Sequence, residues 1–378
     1  MSPSRPAVTP PTTVSPATSA GASATATDGD ARPVRLLILG AGGWGGQHAR
    51  EYAAIDGAEV VAAVDTRPDA LAAFLAEHGI RDGHASLEAA LARGGFDAAS
   101  NVTPDAVHHS TTLALLGAGV PVLCEKPLAP TGPLAREMAE AATASGLANA
   151  VNLRYRVVPA FAEAARIVAS GAVGRVRHVE AAYLQSWLIQ PAWGDWRTDP
   201  AWLWRLSTGH GSTGVLGDVG IHILDLASFV AGSDPTSISC RLKTFDKAPG
   251  GRIGEYALDA NDSAVLHLEL ADGAIGTVTA TRFAAGHRND LYVRVYGDEG
   301  GVEARYEDRD FRLRACLGED VLTTRWREVP TAPVPTVWER FVAAVRGGVP
   351  AEPGFRRGAE VQGWLDDAFE SDRLGRRI

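Results

Sequence analysis

A glycine-rich stretch near the start of the chain has the spacing of a phosphate-binding turn. It follows the apolar run Val34–Leu39 and reads Gly40, Ala41, Gly42, Gly43, Trp44, Gly45. In such a turn the first glycine permits a sharp change of direction, the second lets the backbone approach a ligand, and the third lets the next helix pack closely on its strand. The open N–H groups at the start of that helix suit a pyrophosphate. The simpler alternative is a tight strand-to-helix turn that binds nothing.

An acidic residue lies at the distance from this turn that a dinucleotide site requires. Asp65 stands 20 residues after Gly45, at the end of a second apolar run, where a carboxylate accepts hydrogen bonds from an adenosine ribose. Because a carboxylate repels a 2′-phosphate, Asp65 favours NAD over NADP as the cofactor. Thr66 and Arg67 adjoin the same site. Arg67 either flanks the adenine, tolerates a phosphate, or is a solvated side chain.

A lysine fixed by a proline follows a third apolar run. Glu125, Lys126 and Pro127 come directly after residues 120–124. Proline fixes its own backbone and lacks an N–H donor, so it can hold Lys126 in one direction. The ammonium group could then hydrogen-bond a substrate hydroxyl and favour its alkoxide. The alternative is an ordinary ion pair between Lys126 and the C-terminus of a helix.

A carboxylate and an imidazole lie four residues apart in the second half of the chain. Asp218 and His222 share one face near the start of a predicted helix, about 5–6 Å apart at Cβ. Histidine titrates near neutral pH and suits proton transfer with a hydroxyl. A neighbouring carboxylate is expected to raise the pKa of His222, and would orient the ring if the two hydrogen-bond. Asp225 is interpreted as a capping or structural acid. A surface pair is the alternative for Asp218 and His222.

The first part of the chain predicts a sheet that would place several of these residues on one rim. From Val34 to about Asn152, short apolar runs alternate with amphipathic stretches, which is typical of a doubly wound parallel sheet. The predicted strands cover residues 34–39, 60–64, 98–102, 120–124 and 148–152, and the predicted helices cover residues 48–55, 68–78 and 134–144. Because ligands of such sheets bind beyond the carboxyl ends of the strands, Thr103, Pro104, Glu125 and Lys126 share a rim with the glycine turn.

The second part of the chain changes to a period of two. Apolar Ala264, Leu266, Leu268 and Leu270 alternate with largely polar neighbours, and Asp272-Gly273 then offers a hairpin turn. Further strands are predicted at residues 176–187, 238–245, 291–295 and 311–316, with helices at residues 159–168, 217–230, 337–345 and 359–369. This pattern indicates an antiparallel or mixed sheet with one apolar face.

Composition limits the classes of function. A chain of 378 residues is long enough for two domains of ordinary size. Its content of 46% hydrophobic and 21% charged residues is typical of a globular protein. A net charge of −9 without a dense basic run argues against nucleic acid or an acidic membrane as a partner. The three cysteines lack C-x-x-C spacing, so neither a disulfide framework nor a zinc site is predicted.

The first 33 residues are rich in Pro, Ser, Thr and Ala. Such a segment buries too little apolar surface to offset the entropy of ordering, and we expect a disordered tail. It lacks the apolar centre of a secretory signal, and no later run is long and apolar enough to span a bilayer. A cytoplasmic location is therefore expected by default. A contact between the tail and a neighbouring subunit is the alternative.

Four motifs in this order resemble the Gfo/Idh/MocA family of oxidoreductases, which includes inositol and sugar dehydrogenases. They are the turn Gly40–Gly45, residues 103–108, Glu125-Lys126-Pro127 and residues 217–222. The resemblance runs from Val34 to near Ser371. It implies an α/β fold, with an N-terminal Rossmann doubly wound parallel sheet over residues 34–153. A C-terminal α+β domain with a large, open, mostly antiparallel sheet is implied over residues 154–378.

The resemblance also implies roles for individual residues. Lys126 and His222 would be the catalytic pair, with Asp218 beside the substrate. The residues expected to border the nicotinamide half of the cofactor pocket are Thr103, Pro104, His108 and Glu125. Asn152, Arg154 and Tyr155 resemble the family's arginine-aromatic segment at the domain junction, and Trp204-Arg205 its tryptophan-arginine pair. Asn152, Arg154, Trp204 and Arg205 are therefore expected to contact the substrate.

Five tryptophans fall within a short span: Trp187, Trp193, Trp196, Trp202 and Trp204. Tryptophan faces suit sugar rings because they cover C–H surfaces and leave the hydroxyls to polar partners. We expect one or two of the five, Trp204 first, to contact substrate, with core packing or a subunit contact as the alternative.

Residues 209–214 form a longer loop, less rich in glycine, than is common in the family. Its His210 either caps the loop or touches the substrate.

These observations favour reversible oxidation of a secondary alcohol on a sugar, inositol or related polyol, with NAD and without a metal. Lys126 would supply the positive charge that zinc provides in other dehydrogenases. NAD-assisted glycoside cleavage and a non-catalytic dinucleotide-binding regulator are the alternatives.

Because the second sheet leaves an apolar face to be covered, and the resemblance implies pairing through such sheets, we expect a homodimer or homotetramer.

Overall fold

A six-stranded parallel sheet forms the first half of the chain, with strand order β3-β2-β1-β4-β5-β6. Its strands are β1 Val34–Leu39, β2 Ala58–Val64, β3 Asp82–His84, β4 Ala98–Asn101, β5 Val122–Cys124 and β6 Asn149–Val151. Its helices are α1 Gly43–Ala53, α2 Pro68–His78, α3 Leu87–Arg93, α4 Asp105–Gly117 and α5 Gly132–Ser145. The order reverses between β1 and β4, which opens a crevice at their carboxyl ends. The predicted doubly wound sheet is confirmed.

This computed structural model describes residues 32–191, 193–347 and 350–378, and Pro33–Ile378 form one compact unit. Of the predicted disordered tail, residues 1–31 lie outside the described residues. Within the described part of the chain, no helix is long and apolar enough to cross a membrane.

The glycine turn has the backbone geometry that its sequence predicts. Gly40 has a φ of +111°, and a Cβ there would lie 2.5 Å from the carbonyl oxygen of Val102. A Cβ on Gly45 would lie 2.1 Å from the carbonyl oxygen of Gly40. Helix α1 can therefore pack this closely against β1 and its neighbour only with glycine at both positions. Helix α1 begins at Gly43 rather than at residue 48. Apolar periodicity misses this first turn because glycines make it up.

A mixed eight-stranded sheet forms the second half, with strand order β16-β15-β14-β13-β7-β12-β11-β8. Its strands are β7 Val176–Gln185, β8 Pro235–Lys243, β11 Ser263–Leu270, β12 Ile275–Thr281, β13 Asn289–Gly297, β14 Gly300–Glu307, β15 Asp310–Leu317 and β16 Arg327–Glu328, and β9 Arg252–Ile253 pairs with β10 Tyr256–Ala257 outside it. The helices are α6 Pro159–Ala169, α7 Pro200–Leu203, α8 Ile221–Ala231, α9 Glu319–Leu322, α10 Val337–Val345 and α11 Phe355–Leu374. Strands β7 and β12 are parallel, and the other neighbours in this sheet are antiparallel.

Alternation along the strands divides this sheet into two faces. Ala264, Leu266 and Leu268 are buried, whereas Val265 on the opposite face is 44% exposed. Helices α6 and α8 pack on the buried face. The turn at Asp272-Gly273 joins β11 and β12 as an antiparallel hairpin, as predicted.

The C-terminal segment returns to the first sheet. Val337, Trp338 and Phe341 of α10 are buried in one cluster with Ile38 of β1 and Tyr52 of α1. Helix α11 packs against α5. The sequence boundary at residue 153 therefore separates the two sheets, but helices from beyond it complete the core of the first one.

Candidate active site

A cleft of about 510 Å³ lies beside the glycine turn and is lined from both halves of the chain. Its volume is that of a small-molecule site. The polar side chains that line it are Lys126, Arg154, Gln185, Arg205, Asp218, His222 and Asn289. The structure thus brings the predicted trio of Lys126, Asp218 and His222 to one place, although 92 residues separate Lys126 from Asp218.

Lys126 projects from the loop that follows β5 into this cleft. Its Nζ donates to the backbone carbonyl of Asp218 at 2.7 Å and lies 3.4 Å from Asp218 Oδ1. An ammonium group has three hydrogens, so these two contacts leave one for a ligand. The lysine is therefore held by the turn that carries Asp218 and can still donate into the cleft.

Asp218 lies on a π-helical turn, Leu216–Gly220, and cations surround it. Arg282 Nη2 donates to its Oδ2 at 3.0 Å, and Arg205 Nε lies 4.0 Å from the same oxygen. Burial works to raise the pKa of Asp218, but Lys126, Arg282 and Arg205 outweigh it and hold the pKa well below its usual range. Asp218 therefore remains a carboxylate at neutral pH.

His222 lies one turn along, on α8, and is 7% exposed. Its Nδ1 has no hydrogen-bond partner among the described residues. Burial, then the charges of Lys126 and Arg154, hold its pKa well below the ordinary value. Asp218 does act to raise this pKa, as expected, but burial and the two cations outweigh its charge. His222 is thus a neutral imidazole that can accept a proton.

A cycle of hydrogen bonds lies beside His222. Tyr183 Oη donates to Asn289 Oδ1 at 2.9 Å, and Asn289 Nδ2 donates to Tyr155 Oη at 3.2 Å. The two hydroxyls are 2.7 Å apart, so Tyr155 donates to Tyr183 and closes the cycle. Sequence reasoning did not identify Tyr183, Gln185 or Asn289. They come from strands of the large sheet, and no local motif marks them.

Arg282 is the other residue that sequence reasoning missed. It follows β12, is 0% exposed, and donates to Asp218 and to the backbone carbonyl of Arg205 at 3.1 Å. A buried guanidinium needs an acidic or carbonyl partner. The one sequence feature that could have identified Arg282 is its place as a single arginine directly after a strand of small and β-branched residues.

At the cofactor rim, Arg67 covers Asp65. Arg67 Nε and Nη2 donate to the two carboxylate oxygens, each at 3.0 Å, and Ala41 N–H donates to Asp65 Oδ2 at 2.9 Å. Burial works to raise the pKa of Asp65, but Arg67 and the backbone donors lower it. A ribose that uses this carboxylate therefore competes with the guanidinium of Arg67. Thr66 is exposed next to this pair.

His108, expected to border the nicotinamide, is fully buried and holds two rim loops together. Its Nδ1 and Nε2 face the backbone carbonyls of Pro127 and Thr103, each at 2.8 Å. A carbonyl oxygen only accepts hydrogen bonds, so both ring nitrogens must carry hydrogen. Burial works to lower the pKa of His108, but Cys124, Asp105 and the Pro127 carbonyl raise it to about 10. His108 is a structural cation behind the rim.

This charge predicts a pH-dependent stability. The folded-state pKa of about 10 exceeds the unfolded value of 6.5, so the contribution is complete below pH 6.5 and is lost as the pH rises towards 10. We expect the free energy of unfolding, from urea titrations, to fall by about 2–4 kcal/mol more across this window than in His108→Gln. The matched control is His109→Ala, because His109 is partly exposed and pairs with Glu137. Equal pH slopes for His108→Gln and the wild type would contradict this.

Glu125 and Asn152 lie behind the cleft rather than on its wall. Asn152 is 1% exposed and donates to Glu125 Oε1 at 2.5 Å. Asn152, expected to contact the substrate, thus orients Glu125 instead. Thr103 Oγ1 donates to Asn101 Oδ1 at 2.7 Å, and Pro104 is exposed at the start of α4.

Arg154 and four tryptophans form the aromatic part of the cleft. The guanidinium of Arg154 lies 5.4 Å from the ring centre of Trp44. The cleft-lining tryptophans are Trp44, Trp187, Trp193 and Trp202. Trp204, which was expected to contact the substrate, is 39% exposed and lies outside the cleft lining, while its neighbour Arg205 is part of that lining.

Two further sequence interpretations concern residues near the site. His210 Nδ1 lies 2.9 Å from Ser207 Oγ, outside the cleft lining, which agrees with the capping interpretation. Asp225 is 1% exposed and accepts hydrogen bonds from Arg156 and Arg357. It is therefore a structural acid that anchors α8.

Comparison with known proteins identifies relatives of both halves. Residues 34–153 match the oxidoreductase family with an NAD-binding Rossmann fold, and residues 161–303 match the GFO/IDH/MocA C-terminal domain. D-glucoside 3-dehydrogenase of Escherichia coli (strain K12) is 30% identical over 360 residues, or 92% of this chain and 97% of that protein. Levoglucosan dehydrogenase of Pseudarthrobacter phenanthrenivorans is 30% identical over 246 residues, which are 61% of each chain.

A solved structure agrees with the fold over almost its whole length. It is that of levoglucosan dehydrogenase in complex with NADH and levoglucosan, with a TM-score of 0.79 and 25% sequence identity. The match covers 92% of this chain and 99% of that one.

Proposed function

Because this chain belongs to the Gfo/Idh/MocA family of oxidoreductases, we propose that it transfers a hydride between NAD and a secondary alcohol of a sugar, inositol or related polyol. The observation that carries the proposal is the convergence of Lys126 and His222 on one cleft beside the glycine turn. A polarising cation and a neutral base at one site are what removal of a hydroxyl proton requires.

The residues of the rim fit a dinucleotide. A Cβ at Gly42 or Gly43 would meet no atom of the described part of the chain within 4 Å, so there is open space against the backbone. Among the residues that the structure describes, no side chain caps the first N–H groups of α1, which leaves them for phosphate oxygens. Asp65 directly follows β2, where a ribose would lie. These residues would hold NAD, which supplies the acceptor for a hydride when bound.

Each side chain of the trio has a distinct part in the proposed reaction. His222 accepts the hydroxyl proton as the C–H bond of the carbinol breaks, and the carbon becomes a carbonyl. Lys126 donates a hydrogen bond to the same oxygen and stabilises its developing negative charge. Asp218 keeps Lys126 in place and remains charged throughout because three cations surround it. In the reverse direction His222 returns the proton.

The aromatic lining favours a ring-shaped substrate. Trp193 and Trp202 are nearly parallel, with an interplanar angle of 13° and ring centres 5.9 Å apart. A flat aromatic face buries the C–H surface of a pyranose ring, which an open-chain polyol does not present as a flat patch. Relatives named for D-glucosides and levoglucosan agree with this preference.

The proposal is tested by NADH formation with NAD and a panel of pyranosides, inositols and open-chain polyols. We expect at least one pyranoside to give a kcat/KM about tenfold or more above any open-chain polyol. NAD-assisted glycoside cleavage would instead consume substrate without accumulating NADH. No turnover across the panel, together with a specific protein partner, would support a dinucleotide-dependent regulator and contradict the proposal.

The pair of Asp65 and Arg67 predicts a change of cofactor preference. In Asp65→Ser the repelling carboxylate is removed and Arg67 becomes available to a 2′-phosphate. We expect the NAD/NADP ratio of kcat/KM to fall by about tenfold or more. The double variant Asp65→Ser/Arg67→Ala is the control and should lose the gained NADP activity. An unchanged ratio in Asp65→Ser would show that this carboxylate does not select the cofactor.

The outer face of the large sheet supports assembly into a homodimer or homotetramer. Val265 on β11 and Ile275 on β12 are 44% and 56% exposed on that face, and exposed apolar residues on a bare sheet favour a partner surface. Sedimentation at micromolar concentration is expected to give a dimer or tetramer. A monomer under those conditions would contradict this part of the proposal.

A further inference from the structure

Four polar side chains form a buried chain of hydrogen bonds beneath the cofactor rim. Tyr52 Oη lies 2.7 Å from Ser100 Oγ, Ser100 Oγ lies 3.1 Å from His48 Nδ1, and His48 Nε2 lies 2.9 Å from Glu125 Oε1. Tyr52, His48 and Ser100 are 0% exposed, and Glu125 is 8% exposed. Polar groups this deep in a protein are costly unless each has a partner.

The donor and acceptor chemistry of these groups determines which atom carries the hydrogen in each of these hydrogen bonds. A carboxylate only accepts, so His48 Nε2 carries a hydrogen and donates to Glu125. If Nδ1 accepts from Ser100, then Ser100 Oγ in turn accepts from Tyr52, and every donor has an acceptor. Burial raises the pKa of Tyr52, so its hydroxyl keeps the hydrogen that starts the chain. The donors of Tyr52, Ser100 and His48 then all point toward Glu125, which accepts at the end of the chain.

Glu125 connects this chain to the lysine of the cleft. Its Oε2 accepts the backbone N–H of Lys126 at 3.1 Å, and its Oε1 also accepts from Asn152. The carboxylate therefore folds back on the peptide from which Lys126 projects. Burial works to raise the pKa of Glu125, but His48 and Asn152 lower it to about 2, so it remains an acceptor.

We propose that His48 is a positioning residue for Lys126, acting through the carboxylate of Glu125. His48 lies on α1, whose first turn is the glycine turn, so one helix would place both the cofactor rim and the backbone of the lysine. As far as turnover is concerned, the inference rests on the proposed function. The accessibility of Lys126 in the protein without ligands tests it separately.

Two uncharged substitutions of His48 distinguish the contribution of Nε2 from that of Nδ1. In His48→Gln the side-chain amide reaches the position of Nε2 and can still donate to Glu125, whereas in His48→Asn it reaches only the position of Nδ1. We expect Gln to keep kcat within about threefold and Asn to lower it by about 10–100-fold, since small misplacements of a catalytic group have effects of this size. NAD affinity should change by less than about twofold in both.

The second readout is acetylation of Lys126 in the ligand-free protein, followed by mass spectrometry. We expect Lys126 to react several-fold faster in His48→Asn than in the wild type, and at the wild-type rate in His48→Gln. Equal effects of Asn and Gln on both readouts, or unchanged values in both, would overturn the proposal. A wild type inactive on every substrate would count against the proposed function alone, because the acetylation result would stand.

If the His48 variants do not fold, as judged by circular dichroism, Tyr52→Phe replaces them. It keeps the ring and removes only the hydroxyl that starts the chain. A several-fold rise in Lys126 acetylation is then the expected result, and a wild-type rate would overturn the proposal.

Discussion

We expect His222→Ala to lower kcat by about 10²–10⁴-fold while NAD affinity stays within about twofold of the wild type. The reason is that His222 is the neutral, buried imidazole of the cleft and the proposed acceptor of the hydroxyl proton. The measurement is steady-state NADH formation with the best pyranoside, together with NAD titration by fluorescence. His109→Ala is the matched control, because His109 lies outside the cleft and should keep the wild-type kcat.

The depressed pKa of His222 adds a pH test to this variant. A base works when it is unprotonated, so the rate of alcohol oxidation should rise with pH through the pKa of His222 and then level off. Because that pKa lies well below 6.5, the acid limb of the wild-type profile should lie below pH 6.5. His222→Ala should lose the limb as well as the rate. A variant with nearly the wild-type kcat, or an unchanged limb, would remove His222 from the mechanism.

Lys126→Met should have the second largest effect, lowering kcat by about 10²–10³-fold, which is typical for the loss of one donor to a developing oxyanion. Methionine keeps much of the length and removes the charge. Lys126 is also one of the causes that lower the pKa of His222, so its removal should move the acid limb to higher pH. The rate and the pH shift thus test two consequences of one charge.

Lys243→Met is the control for this variant, since Lys243 is exposed at the end of β8. Lys126→Arg keeps the charge but presents a planar group where a compact ammonium is held. We expect its acid limb to stay near the wild-type position while kcat falls. A Lys126→Met enzyme with the wild-type kcat would show that the ammonium group does not act on the substrate oxygen.

The sequence correctly predicted those helices and turns whose ends are determined by residues close to one another in sequence. Helix α2 was predicted at its observed bounds, because Pro68 starts it and Gly79, with a φ of +66°, ends it. The hairpin at Asp272-Gly273 is an equally local signal. The start of α1 was missed because its first turn is fixed by contacts of Gly40 and Gly45 with other backbone, which apolar periodicity does not record.

Contacts between distant residues decided which side chains face the cleft. Motif spacing placed His108 and Asn152 on the correct rim, but His108 turns to the Pro127 carbonyl and Asn152 to Glu125. Asp218 and His222 line one cleft as predicted, but the carboxylate of Asp218 accepts from Arg282, 64 residues further along the sequence. Such partners carry no local signal, since they follow from how the second sheet packs on the first.

The most direct test of the central claim is a crystal structure of the protein with NAD and a bound pyranoside. Lys126 and His222 are proposed to act on one carbinol. We expect a single sugar oxygen within about 3.2 Å of both Lys126 Nζ and an imidazole nitrogen of His222. A bound sugar whose hydroxyls approach one of these groups and not the other would contradict it.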